Sequence, residues 1–485
     1  MKLNVSFSSF KKNHKLNKDQ LIYRTKKCKD YKQVENIFNF LLVEKNSFIF
    51  ESVEKGKIRG RYTIIGSNPD KIWDISGNTI TESFEGKKKT INKKPLSFLN
   101  NLIHKFNTKV PSDIPSMSSM LVGYFSYDVI RYIENIPDNC VDDLKIPDVK
   151  MIRPKNLIIY DNLKKKIFFI ENIYAETKIN NYFEKYLLIK KKFETYEDYS
   201  NIKLPIKFTY SKNKNKIKSN ISKKKFKDCV KKAKEYIGKG DVFQVVLSQR
   251  FERKINKTPL EVYNYLRISN PSPFMFYFNF DDFKIIGSSP EILVRLRNNR
   301  ITIRPIAGTR PRGSTKAQDI SYEKELLKDK KELAEHLMLL DLGRNDVGKV
   351  SKINTVKVTE SFTVEKYSHV MHIVSNVIGE FNKKNSIFET LLSGFPAGTV
   401  SGAPKIRAME IIDELEKNKR KLYAGGIGYF TPNKEFDTCI ALRTALIKND
   451  KFYVQSGAGI VADSVPEEEY KETVNKAKAL MSAVD

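Results

Sequence analysis

Cysteine is scarce in this chain, with four thiols, Cys28, Cys140, Cys229 and Cys439, in 485 residues. They lie far apart and fit neither a disulfide framework nor a Cys-x-x-Cys metal site, so reduced thiols in a cytoplasmic compartment are expected. Long apolar runs are missing too. None approaches the roughly 20 residues that cross a bilayer, and the opening MKLNVSFSSFKKNHKLN lacks the apolar centre of a secretory signal. A soluble, untargeted protein is the expectation. Acidic residues are outnumbered, 57 against 87 Lys and Arg, for a formal net charge of +30. An excess of that size suggests a polyanionic partner. Here, however, the lysines are spread along the whole chain among asparagine and isoleucine and form no arginine-aromatic stripe. They are read as solvated faces, with no nucleic acid and no membrane as partner.

What remains is a globular chain, 40% hydrophobic and long enough for two domains or one large one. The first two hundred residues alternate short β-like runs (SFIFESV, RYTIIGS, KNLIIYD, KKIFFIENI) with lysine-rich connections, which predicts an N-terminal sheet-rich region over 1–210. Apolar periodicity fades around Asp198 to Lys225, where a linker is expected. From Ser222, a candidate N-cap, Phe226, Val230, Ala233 and Ile237 recur at helical spacing, and the strand-like VFQVVLSQRFE follows. Strands and helices mix to the end, so an α+β domain is expected over 222–485.

The chemistry-bearing stretches fall in this second part. IRPIAGTRPRG (Ile303 to Gly313) packs three arginines, two prolines and two glycines around the small Ala307. In FPAGTVSGAPKIRAMEIIDELE, Gly398, Thr399, Ser401, Gly402 and Pro404 precede a helical run, offering bare amides to a carboxylate. YVQSGAGIVADS leads a strand into Gly457, Ala458 and Gly459, where missing side chains let a ligand approach the backbone, or where a β-bulge sits. Glu332 and Glu335 share one side of a predicted helix, and Glu472 and Lys476 one face of another. Alone, each pair reads as a solvated salt-bridging face; facing one another, they could hold a hard divalent cation. Arg443, in CIALRTALI, is a single charge among apolar neighbours on a predicted strand, placed to pair structurally or to bind a carboxylate bidentately.

Taken in order, RPIAGTRPRG, GSSPE, AEHLMLLDLGRND, YSHVMHI, FPAGTVSGAPKIRAMEII, AGGIGYF and QSGAGIVADSVPEEEYKET resemble the chorismate-utilising enzymes, and among these the anthranilate synthase large subunits. The likeness is strong from about Phe226 onward and weaker over FIFESVEKGKIRGRYTIIGSNP. It implies an α+β fold of large β-sheets flanked by helices, with an N-terminal regulatory region. It implies further that Glu335 and Glu472 hold Mg2+ with Glu332 beside them, that Glu291 is the acid at a departing ring hydroxyl, and that His372 handles or orients a proton for pyruvate elimination. Thr399 joins these as a catalytic candidate. Gly308, Thr309, Tyr423, Arg443, Gly457, Ala458, Gly459 and Lys476 fit substrate binding. The implied partners are chorismate and a glutamine amidotransferase subunit delivering ammonia, since this chain has no cysteine in a glycine-rich elbow. An assembly of two large and two small subunits is implied as well.

Relatives that make aminodeoxychorismate, the alternative activity, often carry lysine where this chain has Ala307, and water-adding relatives a lysine base where it has Gln244. Neither alanine nor a neutral amide supplies that chemistry, which points to ammonia. The resemblance also implies feedback inhibition by L-tryptophan, with Glu51 and Ser52 near its ammonium and Pro273, Phe274 and Met275 against the indole. Here the departure is FIFES, where Phe48 and Phe50 flank Ile49 in place of small or leucine residues.

Overall fold

The computed structural model describes residues 3–54, 57–58, 60–202, 215–367 and 370–484. Its frame is a pair of long strands, Tyr62–Ser76 and Val149–Asp161, which run antiparallel from Tyr62 opposite Asp161 to Ile75 opposite Val149. Their register shifts between Pro69 and Lys71, beside Asn68 at a φ of 53°. A proline has no amide proton for the ladder, and the irregularity bends the ribbon there. Each arm of the bent ribbon belongs to a different layer.

On one side the order runs Gln20–Lys27, Lys166–Ile173, the long ribbon, Ser47–Glu51, Phe274–Asn279, Lys284–Ser289, Thr444–Lys448, Lys451–Ile460 and Gln244–Lys254. On the other it runs Lys87–Asn92, Thr79–Phe84, the ribbon, Leu121–Phe125, Gly426–Phe430, Phe436–Ile440, Ile292–Arg297 and Arg300–Ile303, closing on Val370–Glu380. Val370–Glu380 is flanked by Ile306–Pro311 and by Lys357–Lys366. All these ladders are antiparallel, as the α+β expectation required.

Between the layers lies an aromatic core in which Phe48, Phe276, Phe278 and Phe283 from one sheet meet Val122, Tyr124, Ile152 and Ile427 from the other. The ring centroids of Phe278, Phe280, Phe283 and Tyr124 lie 5.1 to 6.1 Å apart, and each fully buried phenylalanine contributes about 1.5 to 3 kcal/mol of transfer energy. Helices cover both outer faces. Lys32–Leu41, Tyr182–Asn201, Pro259–Ser269, Lys405–Leu415 and Pro466–Met481 pack on the first layer, and Pro95–Lys105, Lys330–Gly348 and Ile387–Ser393 on the second.

Ser47–Glu51 sits between Tyr62–Ser76 and Phe274–Asn279, and Leu121–Phe125 between Val149–Asp161 and Gly426–Phe430, so early and late parts of the chain share both sheets. At the expected linker, helix Tyr182–Asn201 runs through Asp198; residues 203–214 lie outside the described residues, and the chain re-enters as the short strand Lys218–Ser219. Helix Lys223–Gly238 begins at Ser222, whose side chain accepts from the Lys225 N–H, as its sequence predicts.

Candidate active site

The glycine-arginine segment supplies the first wall. Strand Ile306–Pro311 pairs with Val370–Glu380, but the register shifts between Ala307 and Arg310, which takes Gly308 and Thr309 out of the ladder. Gly308 adopts a φ of 64°, a conformation for which glycine is suited. Its carbonyl lies 2.9 Å from Nδ1 of His372, and the Thr309 hydroxyl 3.1 Å from the same nitrogen. A carbonyl only accepts, so the bond to Gly308 requires the proton on Nδ1 and leaves Nε2 with a bare lone pair. Burial holds the His372 pKa down at about 4, with Arg443 and Lys476 acting in the same direction and the Gly308 bond against it. At neutral pH this imidazole is an uncharged proton acceptor.

The opposite property sits on Glu291. It is 5% exposed, and both its carboxylate oxygens accept from the Thr399 hydroxyl, at 3.2 and 3.3 Å. Thr399 belongs to the short turn Gly398–Val400 before helix Lys405–Leu415. Burial pushes the carboxyl up to about 8, against the Thr399 hydroxyl and the Ile306 amide, which favour the ionised form. At pH 7 Glu291 therefore holds its proton, as a general acid must.

The remaining substrate-binding candidates gather on the strand Lys451–Ile460. Gly457, Ala458 and Gly459 pair in unbroken register with Ser248, Leu247 and Val246, so no bulge interrupts them. A Cβ on Gly457 would lie 2.6 Å from the Tyr423 hydroxyl, and one on Gly459 2.7 Å from the Gln244 amide nitrogen. Lys476 donates to the Gly457 carbonyl at 3.1 Å and pairs with Glu472 at 2.6 Å.

Arg443 departs from its expected strand position. It lies in a bend just before strand Thr444–Lys448, at a φ of 46°. Desolvation lowers its pKa, and no carboxylate of the described residues is paired with it. A largely buried guanidinium in that condition suits an anionic ligand.

The two helices expected to carry metal ligands do face one another. Glu335, on Lys330–Gly348, is raised by burial and then by the negative charges of Glu332, Glu469 and Glu472, the last two on Pro466–Met481. Like charges gathered in this way suit a hard divalent cation with carboxylate oxygens and water around it. As they lie, no three such side chains of the described residues are close enough to close on an ion. Glu469 is the member that reading the sequence missed, because in PEEEYKE it looks like one of three first-turn acids.

The three arginines of IRPIAGTRPRG do not converge on a ligand. Arg304 pairs with Glu365 and Glu360, Arg310 with Glu325, Asp329 and Glu332, and Arg312 with Asp319. They brace the segment so that Gly308 and Thr309 can stand out from it.

A separate cavity of about 620 Å³ opens between the layers. Glu51, Ser52, Pro273, Phe274 and Met275 all line it, with Pro290, Ile306 and Tyr367 on a further wall. Glu51 is already engaged, accepting from Arg267, Tyr31 and Tyr263. This leaves Ser52 as the uncommitted polar side chain of the expected pair.

Residues 45–482 match the model of the chorismate binding enzyme family, and the chain belongs to that family. Within it the chain stands with anthranilate synthase component 1. It is 44% identical to the protein of that name from Cereibacter sphaeroides, across 99% of this chain and 97% of the relative, and 46% identical to that of Acetivibrio thermocellus, across 90% of each. The crystal structure of anthranilate synthase component I from Streptococcus pneumoniae superposes with a TM-score of 0.77 at 36% identity, covering 87% of this chain and 93% of that one. Among the described residues, no helix is long and apolar enough to cross a membrane.

Proposed function

We propose that this chain is the synthase component of an anthranilate synthase, adding ammonia to chorismate and eliminating pyruvate to give anthranilate. The observation that carries the reading is Glu291: buried, bonded by Thr399 and still protonated at neutral pH. In the first step ammonia bonds to the ring while the ring hydroxyl takes the Glu291 proton and leaves as water; the new ammonium group then gives up a proton, which restores the Glu291 acid. In the second, the ring gives up the proton beside the new nitrogen, the enolpyruvyl ether bond breaks, pyruvate departs and the ring becomes aromatic. The bare Nε2 of His372 is the acceptor for that proton. Arg443 and the amides of Gly457 to Gly459 receive the substrate carboxylates, with Gly308, Thr309, Tyr423 and Lys476 around the ring.

Glu335 and Glu472 are the residues that would hold Mg2+, with Glu332 and Glu469 close by. When bound, the ion neutralises and orients one substrate carboxylate. Ala307 supports anthranilate over aminodeoxychorismate, because a methyl side chain cannot attack the ring. Ammonia comes from a separate glutamine amidotransferase subunit, in an assembly of two large and two small subunits, and L-tryptophan inhibits from the cavity beside Ser52. The protein works in the cytoplasm.

The test is direct. The purified chain with chorismate, Mg2+ and an ammonium salt should produce fluorescent anthranilate and equimolar pyruvate without a partner. Accumulation of a non-fluorescent aminated product without pyruvate would favour the aminodeoxychorismate activity.

A further inference from the structure

We propose that Arg420 is a positioning residue. It holds the turn that carries Thr399 from behind, and through Thr399 sets how the Glu291 carboxyl is held, without meeting substrate. This rests on the reading of Glu291 as proton donor given above.

Arg420 lies in NKRKLYAGG and is 2% exposed. Its guanidinium donates to the Val400 carbonyl at 2.7 Å, to the Val246 carbonyl at 2.6 Å, and to the two oxygens of Glu416 at 2.9 and 2.6 Å. Val400 follows Thr399 directly. Val246 in turn donates its N–H to the Ser401 carbonyl at 2.9 Å. One planar group thus fastens the turn just after Thr399, directly at Val400 and through strand Gln244–Lys254 at Ser401. The Tyr423 ring, whose hydroxyl abuts Gly457, lies 5.5 Å from the same guanidinium, and the Tyr127 ring 5.0 Å. Glu416 completes the plate by accepting from the N–H and hydroxyl of Ser248, the ladder partner of Gly457.

A buried ion pair is weak as a source of stability, since desolvation offsets its attraction. A guanidinium fork, by contrast, is well suited to holding two carbonyls and a carboxylate in one plane, and the point charge of a lysine cannot span them. The element so fastened is the Thr399 turn, directly at Val400 and through Val246 at Ser401.

The experiment is Arg420→Lys, which keeps the charge and removes the fork. With chorismate and Mg2+ at a fixed concentration of free ammonia, kcat should fall about a hundredfold, the loss typical of a reacting group misplaced by an ångström. KM for chorismate should change much less. The alkaline limb of the pH profile should move to higher pH, because the Thr399 hydroxyl that favours ionised Glu291 is no longer held. Tyr367, a further titratable side chain that feels Glu291, is left untouched. Thr399→Val should move the limb in the same direction, and the double variant should be no slower than Thr399→Val alone. If Arg420→Lys does not fold, Glu416→Gln, which loosens the same fork, should shift the limb the same way.

A folded Arg420→Lys with the parental limb, or losses that multiply with those of Thr399→Val, would overturn the proposal. A parent that consumes chorismate without forming anthranilate would overturn the functional reading instead. The limb and the double variant, read on chorismate loss, would still decide the role of Arg420.

Discussion

Glu291 and His372 are two buried ionisable groups pushed in complementary directions, the acid up to about 8 and the imidazole down to about 4, so between those values both are uncharged, one with a proton to give and one with a lone pair to take it. At fixed free ammonia, kcat/KM should therefore decline above about pH 8 as Glu291 ionises. Glu291→Gln should lose activity by several orders of magnitude at every pH while gaining stability on the alkaline side. The sign follows from linkage: a carboxyl raised from 4.5 to about 8 by folding binds more protons native than unfolded in that interval, so parental stability falls as pH rises through it. The slope is about 1.4 kcal/mol per pH unit. Urea unfolding of parent and Glu291→Gln at pH 5 and pH 8.5 checks this, and curves that stay parallel would show that the carboxyl is not perturbed. His372→Met should leave amination intact and block the later step, so the aminated intermediate accumulates while anthranilate does not; chromatography of quenched reactions that found neither would place the histidine earlier or make it structural.

At the scale of elements, the period of a helix made one half of the carboxylate cluster legible. Glu332 and Glu335 fall three residues apart, and the apolar run after them buries Leu339, Leu340 and Val347. That Glu472 lies across from them depends on a contact between chain segments more than a hundred residues apart, which local periodicity cannot carry. The same limit hid Arg420 and Lys421. In a run of basic residues both read as solvated, yet they are 2% and 3% exposed and held by carboxylates on Glu416, Asp142 and Asp148. Arg443 was legible as a lone buried charge but not as a bend, because the left-handed turn between strands has no glycine to mark it. The helix pairing yields its own expectation. Glu335→Gln or Glu472→Gln should keep the circular dichroism and melting temperature of the parent while cutting turnover at least a hundredfold, since the proposed Mg2+ would lose half its protein carboxylates. Calorimetric titration of Mg2+ should show weakened binding in both, and parental binding and turnover in either would remove that residue from the ion's shell.

Across the whole molecule, the two sheets share the bent ribbon, and the cavity between them shares a wall with the candidate active site. Pro290 and Ile306 line the cavity, while Glu291 is the next residue and is bonded by the Ile306 amide. Tyr367 lines it too, and its ring packs edge-on at 5.6 Å against His372. A ligand seated against Ser52, Pro273 and Met275 can therefore bias the placement of both Glu291 and His372 through side chains already in contact. The proposed inhibition requires only that tryptophan prefer an arrangement in which chorismate binds or reacts less well, by a coupling of about 1 to 3 kcal/mol. Coupling in binding is reciprocal, so saturating chorismate should weaken tryptophan binding by the same factor, about 5- to 150-fold. Ser52→Phe fills the cavity from its polar end and touches neither Glu291 nor His372. It should leave kcat with ammonia within about threefold of the parent, a shift worth under 1 kcal/mol, while raising the tryptophan concentration for half-inhibition at least tenfold. Tyr367→Phe tests the shared wall, removing the hydroxyl that donates to Glu365 at 2.9 Å while keeping the ring on His372. If the ring carries the signal, its inhibition should stay close to parental, whereas Tyr367→Ala should lose much of the inhibition while still binding tryptophan by calorimetry. Full inhibition in Tyr367→Ala would take the signal away from this wall, and a parent indifferent to millimolar tryptophan would leave the cavity without the assigned effector.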